Sequence, residues 1–447
     1  MARRIGSFSL PADLPPLPNG WRWLALGELV DQQRGICYGI VQPGSHYVDG
    51  VPMVNTQDIF VGSVNKKIAF RVSKELHDQY RRSTLRGGEI LITVVGAYFG
   101  RVAIAPFEYM GFNCSRAVAV VPVTDNAQYV MYALRSTIAK HYMSIWATTT
   151  AQPTFNLKDV ANLPIAVAPY GERGKISEIL ETLDSKIELN QRMNETLESM
   201  ACAVFKSWFV DFDPVRAKAE ARGAGPGLPK PLADLFPDRF EESELGEIPV
   251  GWKICGLDEV ANYLNGLALQ KFPCVTDQYL PVIKIAQLRA GNTEGADRCG
   301  TNVPPQYIVE DGDVLFSWSG SLEVEIWCGG RGALNQHLFK VTSKEFPKWF
   351  YYFWTRHHLH DFQRTAAGKA TTMGHIQRRH LSEAKVLVPP IKLLEVANKY
   401  LSPCIERLVS SRIEGRILSA VRDTLLPKLL SGQIRVKDAE RLVESVA

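Results

Sequence analysis

From Ile176 onward the apolar positions advance in alternating steps of four and three: Ile176, Leu180, Leu183, Ile187, Asn190, Asn194, Leu197, Ala201, Val204 and Trp208. This is the heptad spacing of a coiled-coil seam. No Gly or Pro interrupts it between Gly174 and Pro214. The pattern predicts one helix of roughly 35 residues, about 50 Å long at 1.5 Å per residue. Asn190 and Asn194 fall in the seam. They are either buried polar positions that fix register or places where the helix rotates its seam toward water. A second, less regular run follows Pro389-Pro390. Leu394, Leu401, Ile405 and Leu408 keep the spacing, Ser410-Ser411-Arg412 shifts it, and Ile417, Val421 and Leu425 resume it. Pro403 and Pro427 are expected to kink or end helical segments, and Gly432 suits a C-cap. Helices this long are rarely stable alone. The economical partner for each is the other, packed antiparallel. The pairing positions are then Ile176, Leu180, Leu183, Ile187, Leu197 and Val204 on the first, and Leu401, Ile405, Leu408, Ile417, Val421 and Leu425 on the second.

Upstream of each helical run the period changes to short β-branched stretches bounded by Gly, Asn or Pro, which reads as strands and turns. These stretches repeat. Pro18-Asn19-Gly20-Trp21 parallels Pro249-Val250-Gly251-Trp252. Val51-Pro52-Met53-Val54 parallels Leu280-Pro281-Val282-Ile283. Gly88-Glu89-Ile90-Leu91 parallels Gly312-Asp313-Val314-Leu315, Phe112-Asn113 parallels Leu334-Asn335, and Ala168-Pro169 parallels Pro389-Pro390. The offset narrows from 231 (Trp21 to Trp252) to 221 (Pro169 to Pro390). The fold class expected is α+β: two similar strand-rich globules separated by two long antiparallel coiled-coil helices, related by a pseudo-two-fold. The boundaries are 1–168 for the first globule, 169–221 for its helix, 222–245 for a Gly/Pro-rich linker, 246–388 for the second globule and 389–447 for its helix. Trp21 and Trp252 read as core anchors. Phe205, Trp208 and Phe209 form an aromatic cluster that packs on a globule or on a partner; the sequence does not separate the two.

Composition narrows the class. Hydrophobic residues make up 46% of the chain and charged ones 22%, as in soluble globular proteins. The N-terminus has no apolar h-region, and runs such as Ala117–Val123 fall far short of the roughly 18 residues that cross a bilayer. A cytoplasmic location without membrane contact is expected. The 8 cysteines include no Cys-x-x-Cys pair, so reduced core thiols are expected rather than disulfides or zinc. Net charge is only +4, but basic residues cluster between Lys66 and Arg86 and again between Lys344 and Arg379. Each cluster is either a phosphate-contacting stretch or a solvated charged face.

Catalytic patterns are missing. There is no Gly-x-x-x-x-Gly-Lys-Ser/Thr loop and no Asn/Asp-Pro-Pro-aromatic tetrapeptide. Asp184-Ser185-Lys186 sits mid-helix and reads as a surface charge pair. His357, His358 and His360 lack further ligands at metal spacing. The chain is expected to bind rather than to catalyse, with no metal and no cofactor of its own.

Three segments resemble the specificity (S) subunit of Type I restriction-modification enzymes. Leu183-Asp184-Ser185-Lys186-Ile187-Glu188-Leu189-Asn190, with Phe205-Lys206-Ser207-Trp208-Phe209-Val210-Asp211-Phe212-Asp213-Pro214-Val215-Arg216, resembles that family's central conserved region. Ser243-Glu244-Leu245-Gly246-Glu247-Ile248-Pro249 resembles the entry to its second recognition domain, and Arg422-Asp423-Thr424-Leu425-Leu426-Pro427-Lys428-Leu429-Leu430-Ser431-Gly432 its distal conserved region. The resemblance implies a DNA-binding subunit of a restriction system that serves phage defence. Each globule would be a target-recognition domain reading one half of a bipartite asymmetric site in double-stranded DNA. The helices would set half-site spacing and dock two modification (adenine N6-methyltransferase) subunits, joined by restriction (translocase-nuclease) subunits. S-adenosylmethionine, ATP and Mg would reside on those partners. A two-headed protein-binding scaffold without base specificity is the alternative.

Candidate DNA contacts lie on loops between predicted strands: Arg34, Tyr38, Gln57, Arg101, Arg116, Thr149 and Gln152 in the first globule, and Lys284, Gln287, Trp318, His337, Lys369, Thr372 and His375 in the second. Arg and Lys suit guanine or phosphate, Gln suits adenine, and Thr suits a base edge or a thymine methyl.

Overall fold

The computed structural model describes residues 8–147, 154–220, 228, 230–275, 277–368 and 374–444. It divides into two units, residues 1–186 with 418–447 and residues 187–417. Both division points fall inside the two long helices.

Unit 1 holds a four-stranded antiparallel sheet in the order Cys37–Tyr38, Val118–Val121, Ile90–Thr93, Val102–Ile104. Ile90–Thr93 is buried along its whole length, as an unbroken Ile-Leu-Ile-Thr run in a central strand should be. A second sheet places Val51–Val54 between Arg71–Val72 and Asn113–Cys114, parallel to the latter. Arg22–Ala25 pairs with Pro164–Val167, so the two ends of the globule meet. Unit 2 repeats the plan. Its main sheet runs Asn262–Asn265, Leu338–Thr342, Val314–Ser317, Val324–Ile326. Its second sheet again sets Leu280–Ile283 parallel to Gly332–Leu334, and Lys253–Gly256 pairs with Lys385–Val388. The repeat extends to backbone crowding. A Cβ at Gly39 would sit 1.9 Å from the Cys114 carbonyl oxygen, and one at Gly266 would sit 2.2 Å from that of Asn335. Only glycine fits where these strands run past one another.

The central helix spans Tyr170–Phe205 and continues as a π-helical turn over Lys206–Val210. Ile176, Leu180, Leu183 and Ile187 are buried, and Leu197 and Val204 are half-buried. Asn190 is buried and Asn194 half-buried, and Asn190 Nδ2 and Asn194 Oδ1 are enclosed without a hydrogen-bond partner. Of the two readings of these asparagines, the buried one applies to Asn190. The distal helix runs unbroken over Ile391–Leu430, so Pro403 and Pro427 do not divide it. Pro403 lies on the solvent face between buried Leu401 and Ile405; packing of the flanking turns offsets its missing N–H. Pro427 falls in the last turn, so the one N–H it lacks lies close to where the helix ends. Gly432 adopts φ +70° just past the end, as a C-cap glycine should. One pairing position is corrected. Ile417 is 44% exposed and Leu418 is fully buried, because the seam proceeds by sevens through Ser411, Leu418 and Leu425. Leu408 is buried and Val421 half-buried.

Within unit 2 the helices run antiparallel: Glu198 meets Arg412, and ten residues on, Trp208 meets Tyr400 (rings 6.2 Å apart). In unit 1, Asp184 meets Arg422. The aromatic cluster packs into the second globule. Phe205 contacts Phe353 and Trp354, and Phe209 contacts Trp349 and Trp252. Trp252 is buried, whereas Trp21 is half-buried with its indole N–H on Glu172. Leu232 and Phe236, within the stretch read as linker, belong to the same core, and Phe240–Ser243 pairs with Gly246–Pro249.

Candidate nucleic-acid interface

Each globule ends its buried central strand at the same structural device. In unit 2, Val314–Ser317 runs into Trp318-Ser319-Gly320, where Gly320 turns the chain at φ +67°. A segment returning from helix Leu359–Ala367 docks against this end: Ser319 bridges His375, and Ile376 N donates to Trp318 O (3.0 Å). In unit 1, Ile90–Thr93 runs into Val94-Val95-Gly96, with Gly96 at φ +90°. Val95 bridges Thr154, and Phe155 N donates to Val94 O (3.0 Å). Thr149, Gln152, Lys369 and Thr372, in residues 148–153 and 369–373, lie outside the described residues. Their flanks are fixed in both units.

Around the unit 2 strand end, three candidates come together. Trp318 lies tilted against His337 (6.0 Å) and meets His375 edge-on (6.3 Å). The Trp318 indole donates to Asn265 Oδ1 (2.9 Å), and Ser319 Oγ pairs with His337 Nδ1 (2.9 Å). All three rings are half-buried; the indole N–H of Trp318 and both ring nitrogens of His337 are engaged by Asn265, Gln336 and Ser319. Together they form a partly exposed aromatic cluster, held by hydrogen bonds at the strand end.

Around the unit 1 strand end, Tyr38 donates its hydroxyl to Phe155 O (3.1 Å). Burial raises its phenol, although the nearby Arg116 charge opposes the rise. Arg116 is exposed and anchored by its backbone N–H on Ile40 O. Arg101 lies across the turn, its guanidinium 4.2 Å above the Tyr98 ring and donating to Ile59 O. Phe99 packs edge-on against Phe155 (6.0 Å) and joins that turn to the returning segment; no motif in the sequence singled it out.

Four candidates fall elsewhere. Arg34 is buried and saturated by Glu89 and the carbonyls of Thr84 and Arg82, so it is a structural cation of the core and leaves the candidate set. Gln287 is 8% exposed and its carbonyl accepts the Lys284 N–H at a helix start, which withdraws it as an adenine reader. Lys284 pairs with Asp297 at the surface. Gln57 is exposed on the short turn Thr56–Asp58 and is not brought to the strand end by any described contact.

Among the described residues no group of three or more His, Cys, Asp or Glu could hold a metal ion, and no helix is long and apolar enough to cross a membrane. The eight cysteines, all among the described residues, form no disulfide; Cys202 and Cys274 are exposed, so these two are not the core thiols expected from the sequence.

Comparison with known proteins agrees with this architecture. The family model for the Type I restriction modification DNA specificity domain matches twice, over residues 46–199 and 249–414. The chain is 24% identical over 440 residues to the Type I restriction enzyme HindI specificity subunit of Haemophilus influenzae, covering 86% of this chain and 94% of that protein. It is 33% identical over 171 residues to the EcoBI specificity subunit of Escherichia coli, covering 37% of this chain and 35% of that protein. The fold matches the crystal structure of the Type-I restriction-modification system S subunit from M. genitalium with a TM-score of 0.56 at 17% identity, over 93% of this chain and 98% of that one. With two matched copies that together span well over half its length, the chain belongs to the Type I restriction modification DNA specificity family.

Proposed function

We propose that this chain is the DNA sequence-specificity subunit of a Type I restriction-modification complex and that each globule reads one half of a bipartite, asymmetric site. One observation carries this reading. Both globules end their central strand on the same bridged scaffold, yet the residues there differ: Val95 and Thr154 in one, Ser319 and His375 in the other. Equivalent scaffolds with unlike edges suit two half-sites of unlike sequence.

The chain itself catalyses nothing. Two modification subunits supply adenine N6-methylation with S-adenosylmethionine, and restriction subunits supply ATP- and Mg-dependent translocation and cleavage. The paired helices serve as their docking platform and set the number of unread base pairs between half-sites. Lys and Arg of the two basic stretches position the duplex through phosphates. Family membership favours this reading over the protein-binding scaffold.

Methylome sequencing of the host with and without the gene tests the proposal. A single two-part adenine-methylation motif should disappear with the gene. Retention of every methylated motif would refute it.

A further inference from the structure

Each unit ties its globule to both long helices through one carboxylate. In unit 1, Tyr132 donates to Asp184 Oδ2 (2.9 Å), Arg135 Nη1 donates to the same oxygen (3.0 Å), and Arg422 Nη1 donates to Oδ1 (2.7 Å). In unit 2, Tyr352 donates to Glu198 Oε1 (3.2 Å), Arg356 donates to the same oxygen, and Arg412 Nη2 donates to Oε2 (3.1 Å). Arg412 also reaches Glu325 (3.5 Å).

The globule's part in this clamp is repeated. Arg135 and Arg356 stand 221 apart, the same offset as the helix starts Tyr170 and Ile391. The helices' part is not repeated. In both units the acid comes from the central helix and the opposing base from the distal helix. At the 221 offset, Arg422 corresponds to Ala201 and Glu198 to Ser419.

A plain duplication would leave each half able to pair with its own copy as readily as with the other half. These charges remove that freedom. Two second halves joined through distal helices would set Arg356 and Arg412 against Ser419 in place of Glu198. Arg416, already paired with Asp311, and Arg422 lie one turn to either side, and Asp423 is the acid within a turn. Two first halves joined through central helices would set Asp184 against Ala201, with Glu198 one turn away. Each homotypic pairing loses a counter-ion and brings like charges together at partly buried positions, where salt screens poorly.

The geometry points to a polarity code between the halves. The second half of this chain accepts an acid-bearing first half, its own or another copy's, and rejects a second copy of itself. The surface concerned is the strip of the distal helix around Arg412, and its fitting partner is a central helix carrying a carboxylate at 198. Such a code keeps the two globules in one particle unlike, whatever their individual contacts.

The test uses the whole protein. A protease site is placed within residues 223–227, and the purified intact chain is cut, so both halves remain. Isotope-labelled and unlabelled samples are mixed, passed through denaturant and back, and counted by native mass spectrometry. Second-half homodimers should fall at least about tenfold below random proportions. Ser419→Glu, which supplies the missing acid, should raise them several-fold. Random proportions in the unaltered protein, or no rise in the variant, would overturn the code. The uncut chain gives a second reading independent of fragment refolding. Glu198→Arg should lower the Tm, and adding Arg412→Glu should recover most of the loss. A Glu198→Arg chain as stable as the unaltered one would also overturn it.

Discussion

Ser319 and His375 are bridge partners across 56 positions of sequence, and the Ser319 hydroxyl also holds His337 Nδ1 at 2.9 Å. One imidazole is thereby held, and the backbone carrying a second is docked, beside Trp318 at one strand end. If these rings read base edges, His375→Ala and Trp318→Ala should each cost about 1–3 kcal/mol of binding at one half-site. Substitutions in the other half-site should be penalised as before. Fluorescence anisotropy of the assembled complex on paired single-base variants of the site measures this. An equal loss on all duplexes would mean that the residues act on affinity alone.

Arg34 should behave as a core residue. Its guanidinium and Glu89 are both under a tenth exposed, and removing one member of such a pair leaves a buried charge unmatched. Arg34→Ala should therefore cost about 3–5 kcal/mol, read as an early loss of unit 1 in urea unfolding. Gln57→Ala, on an exposed turn, should stay within about 0.5 kcal/mol of the unaltered protein.

The corrected helix register gives a sharp contrast between neighbours. Leu418→Ala empties a fully buried position and should cost about 2–5 kcal/mol. Ile417→Ala, at an exposed one, should cost about 0.5 kcal/mol or less. The reverse order in thermal unfolding would restore the register expected from the sequence.

Acid should weaken the helix clamps. Burial pushes the Asp184 carboxyl up, but Arg135 and Arg422 outweigh it and hold it below the ordinary range. Asp311 is held low in the same way by Arg416 and the Gly330 N–H against its burial. A depressed folded-state value means that stability is fully present above the unfolded value of about 3.9 and is lost as pH falls through the folded one. Glu325 acts in the opposite sense, since burial raises its carboxyl despite Arg412. Asp184→Asn should flatten the acid limb of a Tm-against-pH curve, while Glu325→Gln should not.

Much of this fold was legible in the sequence because it is periodic or repeated. The heptads announced a helix that the structure places at Tyr170–Phe205, and the paired strand motifs announced two like globules. What escaped depended on contacts distant in sequence. Pro403 looked like a helix breaker, because nothing local reveals that its flanking turns are packed. Arg34 looked like a loop cation, because its partner Glu89 lies 55 residues away. The clamp residues Arg135 and Arg356 carried one usable signal, their shared offset of 221, but their role depends on Asp184 and Glu198, whose positions do not repeat. At the candidate interface, Trp318, His337 and His375 were singled out by loop position and residue type, whereas the strand end that gathers them was not legible. The sequence over 148–153 and 369–373 has no periodicity from which a base preference could be read.

The central claim is that each globule reads its own half-site. Exchanging residues 20–165 for the matching segment of a family member with a different motif, followed by methylome sequencing of a host carrying the chimera, tests this most directly. The account predicts a new sequence in one half of the motif, with the other half and the spacer length unchanged. A change in both halves, or in neither, would contradict it.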